Sequence, residues 1–184
     1  TRREGLTFGL YFGFYLLLIC LHALFWRATR APMSGLYLAY IGTCVTNEVL
    51  SLGLVQQITG LPPAWSDRML GTSLTLGMPI AVAMSCAVLM LARPMPRTAR
   101  ALTRGSAAFG ALCIAPILLD RYSAGIVPVQ VASLALIGVF TGLALWLLRR
   151  GHRPARFFLA AFGVFYASVL IAYVRNLGWL PVNA

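Results

Sequence analysis

The chain has 184 residues, 60% of them hydrophobic and 10% charged, with a mean hydropathy of +0.82. Soluble domains carry about 45–50% apolar and about 25% charged residues, so a water-soluble globule is excluded. The net charge of +11 does not point to nucleic acid, because the basic residues stand in short clusters between long apolar runs rather than on a solvated face.

A membrane crossing needs about 20 mostly apolar residues. Six segments qualify, taken as 6–26, 35–55, 70–92, 101–119 (apolar proper from Gly105), 126–148 and 157–174. No alternating barrel pattern is present, so the fold class is all-α, a polytopic transmembrane helix bundle. Residues 1–184 are read as a single transmembrane domain. Pro79 and Pro116 fall inside spans and are expected to bend them. The connections are short, so successive helices run antiparallel.

All fifteen basic residues are arginine, which removes any mechanism that needs a lysine amine, a retinal Schiff base included. The connections after spans one, three and five hold Arg27 and Arg30, then Arg93, Arg97, Arg100 and Arg104, then Arg149, Arg150, Arg153 and Arg156, ten in all with no acid among them. The other side has Arg2, Arg3, Arg68, Arg121 and Arg175, diluted by Glu4, Asp67 and Asp120. By the positive-inside rule the first group is cytoplasmic and the N-terminus lies outside.

Six spans from an outside N-terminus also leave the last residues outside, so a cytoplasmic output module requires one more crossing. The expected design is therefore six spans of seven. A start at Thr1 and a stop just after an apolar segment agree with a piece of a longer protein. The first apolar run has no small-residue cleavage site and is not a removable leader.

Few residues are candidates for chemistry. Asn47 and Glu48 stand together in span two, and a carboxylate at membrane depth costs a few kcal/mol unless it pairs, protonates or faces the bundle interior. They are the ligand or coupling candidates. For Glu48 the competing reading is a carboxylate that snorkels at the interface near Gln56 and Gln57. Thr43, Cys44, Thr46 and Ser51 extend a polar stripe whose simplest role is hydrogen bonding between helices.

Cys20, Cys44, Cys86 and Cys113 lie inside spans without metal-ligand spacing and read as small apolar residues. His22 and His152 are not matched in depth, so neither a metal nor a cofactor is expected, and structural or interfacial roles are assigned. No nucleophile elbow, phosphate loop or zinc-protease motif is present, and this piece is not read as an enzyme. The basic clusters set topology and meet anionic lipid. Gly151, Arg153, Pro154 and Arg156 form a stiff cytoplasmic turn, with Gly151 ending span five and Pro154 opening span six, that is also a candidate dock for a downstream module.

The pattern resembles the membrane domain of bacterial seven-transmembrane receptors with diverse intracellular signalling modules. The likeness rests on Gly5-Leu6-Thr7-Phe8-Gly9-Leu10-Tyr11-Phe12-Gly13 at the start, Tyr37-Leu38-Ala39-Tyr40 opening span two, and Gly53-Leu54 with Trp65 after it. It also rests on Gly151-His152-Arg153-Pro154-Ala155-Arg156 and on Leu177-Gly178-Trp179-Leu180-Pro181-Val182-Asn183. The resemblance implies a multi-pass protein of the bacterial inner membrane that couples a periplasmic sensor domain to a cytoplasmic histidine kinase or diguanylate cyclase of the same chain. Expected partners are those flanking domains, the lipid bilayer and a second copy of the chain. The alternative is a small transporter or channel subunit with Glu48 on its path, although no inverted repeat relates the two halves.

Overall fold

In hydrocarbon, backbone amides have to be satisfied within their own segment, and the chain meets that demand with helix. The computed structural model describes residues 2–176, with side chains at 9, 10, 12–164 and 166. Among these residues there are seven helices and no strand: α1 Arg2–Thr29, α2 Pro32–Ser51, α3 Leu54–Thr59, α4 Pro63–Val88, α5 Pro96–Leu118, α6 Tyr122–Arg149 and α7 Pro154–Asn176. Four of them are long and apolar enough to cross a membrane: α1 over Phe12–Thr29, α4, α5 and α6. The polar stripe of α2 dilutes its apolar character, and α7 is apolar over Pro154–Val164, as far as its side chains are continuously described. The structure thus supports four of the six expected spans by length and composition.

Proline sets where most helices begin. Pro32, Pro63, Pro96 and Pro154 each stand at the first helical position, where the missing N–H is one of the orphans anyway and φ is already helical. Hence α4 and α5 start well before the expected 70 and 101. The expected start at 35 likewise gives way to Pro32, whereas Pro154 opens its helix as read from the sequence.

The helix ends are set by left-handed residues. Gly151 has φ 78°, its N–H bonds the Leu148 carbonyl (2.9 Å), and the His152 N–H bonds that of Leu147 (3.0 Å), a Schellman cap. The same pair of bonds closes α4, from Met90 to Ala87 and from Leu91 to Cys86, with Met90 at φ 48°. The third expected span therefore stops at Val88 rather than 92. Asp120, at φ 61°, ends α5. The second expected span does not reach 55 as one helix, because Gly53 at φ 67° breaks the chain between α2 and α3.

The chain forms two compact units: 1–84 with 101–129, and 85–100 with 130–184. In the first, α1 packs along α2, with the His22 and Tyr37 rings 4.3 Å apart. Leu10, Phe14, Leu16, Leu17, Leu21 and Leu24 of α1 remain exposed, as expected of a face whose solvent is lipid. Two glycines let helices of this unit meet: a Cβ on Gly125 of α6 would stand 2.7 Å from the Cys113 carbonyl of α5, and one on Gly110 of α5 would stand 3.2 Å from the Thr75 carbonyl of α4. In the second unit Leu89, Leu91, Phe140, Ala144, Leu147, Ala155 and Phe158 are buried.

Candidate functional site

Of the candidate residues of α2, Asn47 lies against the stretch of α4 that holds Pro79. Pro79 stands inside α4 and has no N–H to give the Thr75 carbonyl, which loses its helical bond. Thr75 is fully buried, and its hydroxyl donates to the Gly71 carbonyl at 2.7 Å, a back-bond that itself favours bending. Between these two residues is Gly77, where a Cβ would meet the Asn47 Nδ2 at 3.6 Å and the Thr43 Cβ at 3.8 Å. The Pro79 stretch of α4 is thus flanked by Asn47 of α2 at Gly77 and by Gly110 of α5 at Thr75.

Asn47 enters this contact at a cost. Its Oδ1 is buried and has no hydrogen-bond partner among the described residues, and an unsatisfied acceptor costs about 1–3 kcal/mol. The hydroxyls of the stripe turn back on their own helix: Thr43 donates to the Tyr40 carbonyl (2.8 Å), Thr46 to that of Gly42 (2.8 Å) and Ser51 to that of Glu48 (2.9 Å). The expected interhelical bonds of this stripe are therefore replaced by local ones. Glu48 is half-buried in the last turn of α2, where its carbonyl accepts the Leu52 N–H at 3.0 Å. One position on a helix is about 100° of rotation, so Glu48 does not share the direction of Asn47.

The second candidate group, Gly151, Arg153, Pro154 and Arg156, belongs to the other unit, so the structure does not gather both groups into one site. Gly151 caps α6 and Pro154 opens α7 as expected, while Arg153 and Arg156 are exposed. The residue that the sequence undervalued is His152. Its Nε2 lies 2.9 Å from the Leu89 carbonyl, so the imidazole donates to the end of α4. That bond ties the α6–α7 turn to the α4–α5 connection, two arginine-rich segments assigned to one side from sequence. At the opposite end of α4, Arg68 makes a bidentate ion pair with Asp120 of the α5–α6 turn and stacks 5.1 Å over Trp65.

Behind His152 an aromatic row runs along α7. Phe158 stacks on Phe162 at 4.7 Å, Phe162 meets Tyr166 at 5.8 Å, and Phe158 lies 6.3 Å from Phe140 of α6. Spacing of four residues puts these rings on one face. The Tyr166 hydroxyl reaches Ser85 at 3.5 Å, the second tie from this unit's α6–α7 layer to its stretch of α4.

Among the described residues no three His, Cys, Asp or Glu side chains approach closely enough to hold a metal. His22 is occupied by the Leu18 carbonyl at 2.9 Å. All four cysteines are free thiols. The Leu177–Asn183 motif lies outside the described residues.

The family model for 7TM diverse intracellular signalling matches residues 4–184. Neither the curated proteins nor the solved structures contain a match to the chain.

Proposed function

The chain belongs to the 7TM diverse intracellular signalling family, and on that premise we propose that it couples an extracytoplasmic sensor to a cytoplasmic output module, a histidine kinase or a diguanylate cyclase. It does so in the bacterial inner membrane with the N-terminus periplasmic, crossing six times by α1, α2, α4, α5, α6 and α7. The arginine asymmetry supports this orientation.

The observation that carries the coupling is the construction of α4. Its start is held by the Arg68–Asp120 pair and its end by the Leu89–His152 bond. Its middle carries Pro79, which leaves the Thr75 carbonyl without its helical bond, near the unsatisfied Asn47 Oδ1. A stimulus that moves the periplasmic end of such a helix changes its bend, and the change reaches the turn that His152 anchors. A ligand shifts the balance by as much as its affinity differs between the two arrangements.

The test is Pro79→Ala in the full-length receptor, which restores the bond to Thr75 and straightens α4. Expression should be normal and the ligand-dependent range of kinase or cyclase output should collapse. An unchanged response would refute the coupling role of the bend. Reporter fusions after Arg97 and Arg153 should read as cytoplasmic, and fusions after Asp67 and Asp120 as periplasmic; a periplasmic signal at Arg153 would overturn the orientation.

A further inference from the structure

Charge is divided unequally between the two units. All four acidic residues, Glu4, Glu48, Asp67 and Asp120, fall in the first unit, and residues 85–100 with 130–184 contain none. Six arginines of that second unit, Arg93, Arg97, Arg149, Arg150, Arg153 and Arg156, are exposed on or beside the two connections that His152 and Leu89 tie together, and Arg100 is exposed one turn further along α5. The bond joins the two connections into one arginine-rich rim, and the unit contributes no acidic side chain to neutralise it.

The rim also has features of a membrane interface. Arg150 lies 3.9 Å over the Trp146 ring, and Trp146 is 40% exposed although it sits one turn inside an apolar helix. Tryptophan concentrates at headgroup depth, where its ring is half in hydrocarbon, and a stacked guanidinium keeps its N–H edge free for an oxyanion. Below it, Leu147, Ala144 and Phe140 are buried, so the rim stands on a packed base.

We propose that this rim is a binding surface for anionic phospholipid, in which Arg149, Arg150 and Arg153 at the α6–α7 turn and Arg93 and Arg97 at the α4–α5 connection engage headgroup phosphates while Trp146 sets the depth. Arginine suits phosphate because its planar fork bonds two oxygens at once. With no acidic residue in the unit, no side-chain carboxylate of its own competes with a membrane phosphate for these guanidinium groups.

The full-length protein in neutral detergent is titrated with phosphatidylglycerol and, separately, with phosphatidylcholine, and bound lipid is counted by native mass spectrometry. The acidic lipid should bind at least about tenfold more tightly, and Arg149→Gln with Arg153→Gln should lower its affinity roughly ten- to thirtyfold, given about fivefold for each surface arginine. Arg93→Gln with Arg97→Gln should act similarly, and Arg121→Gln, in the other unit, should change nothing. If a double variant fails to fold, the unaltered protein still decides: binding should weaken between about 0.1 M and about 1 M salt as the screening length falls from ~10 to ~3 Å. Equal affinity for the two lipids, binding indifferent to salt, or an Arg121→Gln loss as large as that of the double variants would each overturn the proposal.

Discussion

Asn47→Leu isolates the cost of the unsatisfied acceptor beside the α4 bend. Leucine keeps the branch at Cγ and so the outline that meets Gly77, where the Asn47 Nδ2 stands 3.6 Å from the site of an added Cβ. It removes the buried Oδ1 that lacks a partner. Leaving such an acceptor unpaired costs about 1–3 kcal/mol, so the described arrangement should gain about 1–2 kcal/mol after some misfit of the new methyl groups. In a two-state receptor that is roughly a five- to thirtyfold shift in population. Stability is read from unfolding in mixed micelles, and output from the full-length protein with and without stimulus. The variant should unfold later than the parent and respond over a narrower range. Asn47→Ala removes the same acceptor but leaves a void, so it should be less stable than Asn47→Leu. If Asn47→Leu unfolds earlier than the parent, the acceptor is not the costly group and the reasoning fails.

Three other substitutions test the packing. Gly125→Ala should lose about 1–3 kcal/mol, because its Cβ would stand 2.4 Å from Ile117 Cγ1 and 2.7 Å from the Cys113 carbonyl; Gly142→Ala, with nothing within 4 Å, should be neutral or better, and micelle unfolding compares the two. Met90→Gly should gain about 1 kcal/mol by the same measurement, since a side chain at φ 48° is strained and glycine is not. Asp120→Asn keeps a residue that tolerates φ 61° while removing the charge that Arg68 holds, so it should cost at most about 1 kcal/mol, less at high salt.

The sequence conveyed the helices more faithfully than their limits. Apolar runs locate the middle of each long helix, but helix starts are encoded by Pro32, Pro63 and Pro96, which look like linker residues when hydropathy alone is counted. Gly151 announced its cap because glycine is the usual left-handed residue. Met90 did the same work without any such sign. Asn47 was legible as a buried polar group; that its amide faces Gly77 was not, since a glycine leaves no pattern. His152 looked like one more polar residue in a basic turn. Its partner is a backbone carbonyl 63 positions away, and carbonyls have no letter in the sequence. Pro128, a third proline inside a helix, passed unremarked within the most apolar span.

The position of these prolines decides which part of the molecule can adapt. Pro79, Pro116 and Pro128 each interrupt a helix, and all three fall in the unit made of 1–84 and 101–129. In the other unit the described helices carry proline only at their first positions, Pro96 and Pro154, and the aromatic row from Phe140 to Tyr166 fills the space between them. Driving a receptor from almost wholly off to almost wholly on takes about 5.5 kcal/mol of differential binding. One freed carbonyl or one orphaned amide supplies about 1–2 kcal/mol, so Asn47 alone biases the switch without throwing it. Three interrupted helices and one unsatisfied amide together reach the required order, provided they change as a set. The Cβ-less contacts at Gly110 and Gly125 make that set cohere: they hold α4 to α5 and α5 to α6 at backbone distance, so a change in the bend of one helix is felt by the next. In the proposed coupling, the unit that holds these weak points is the one that adapts.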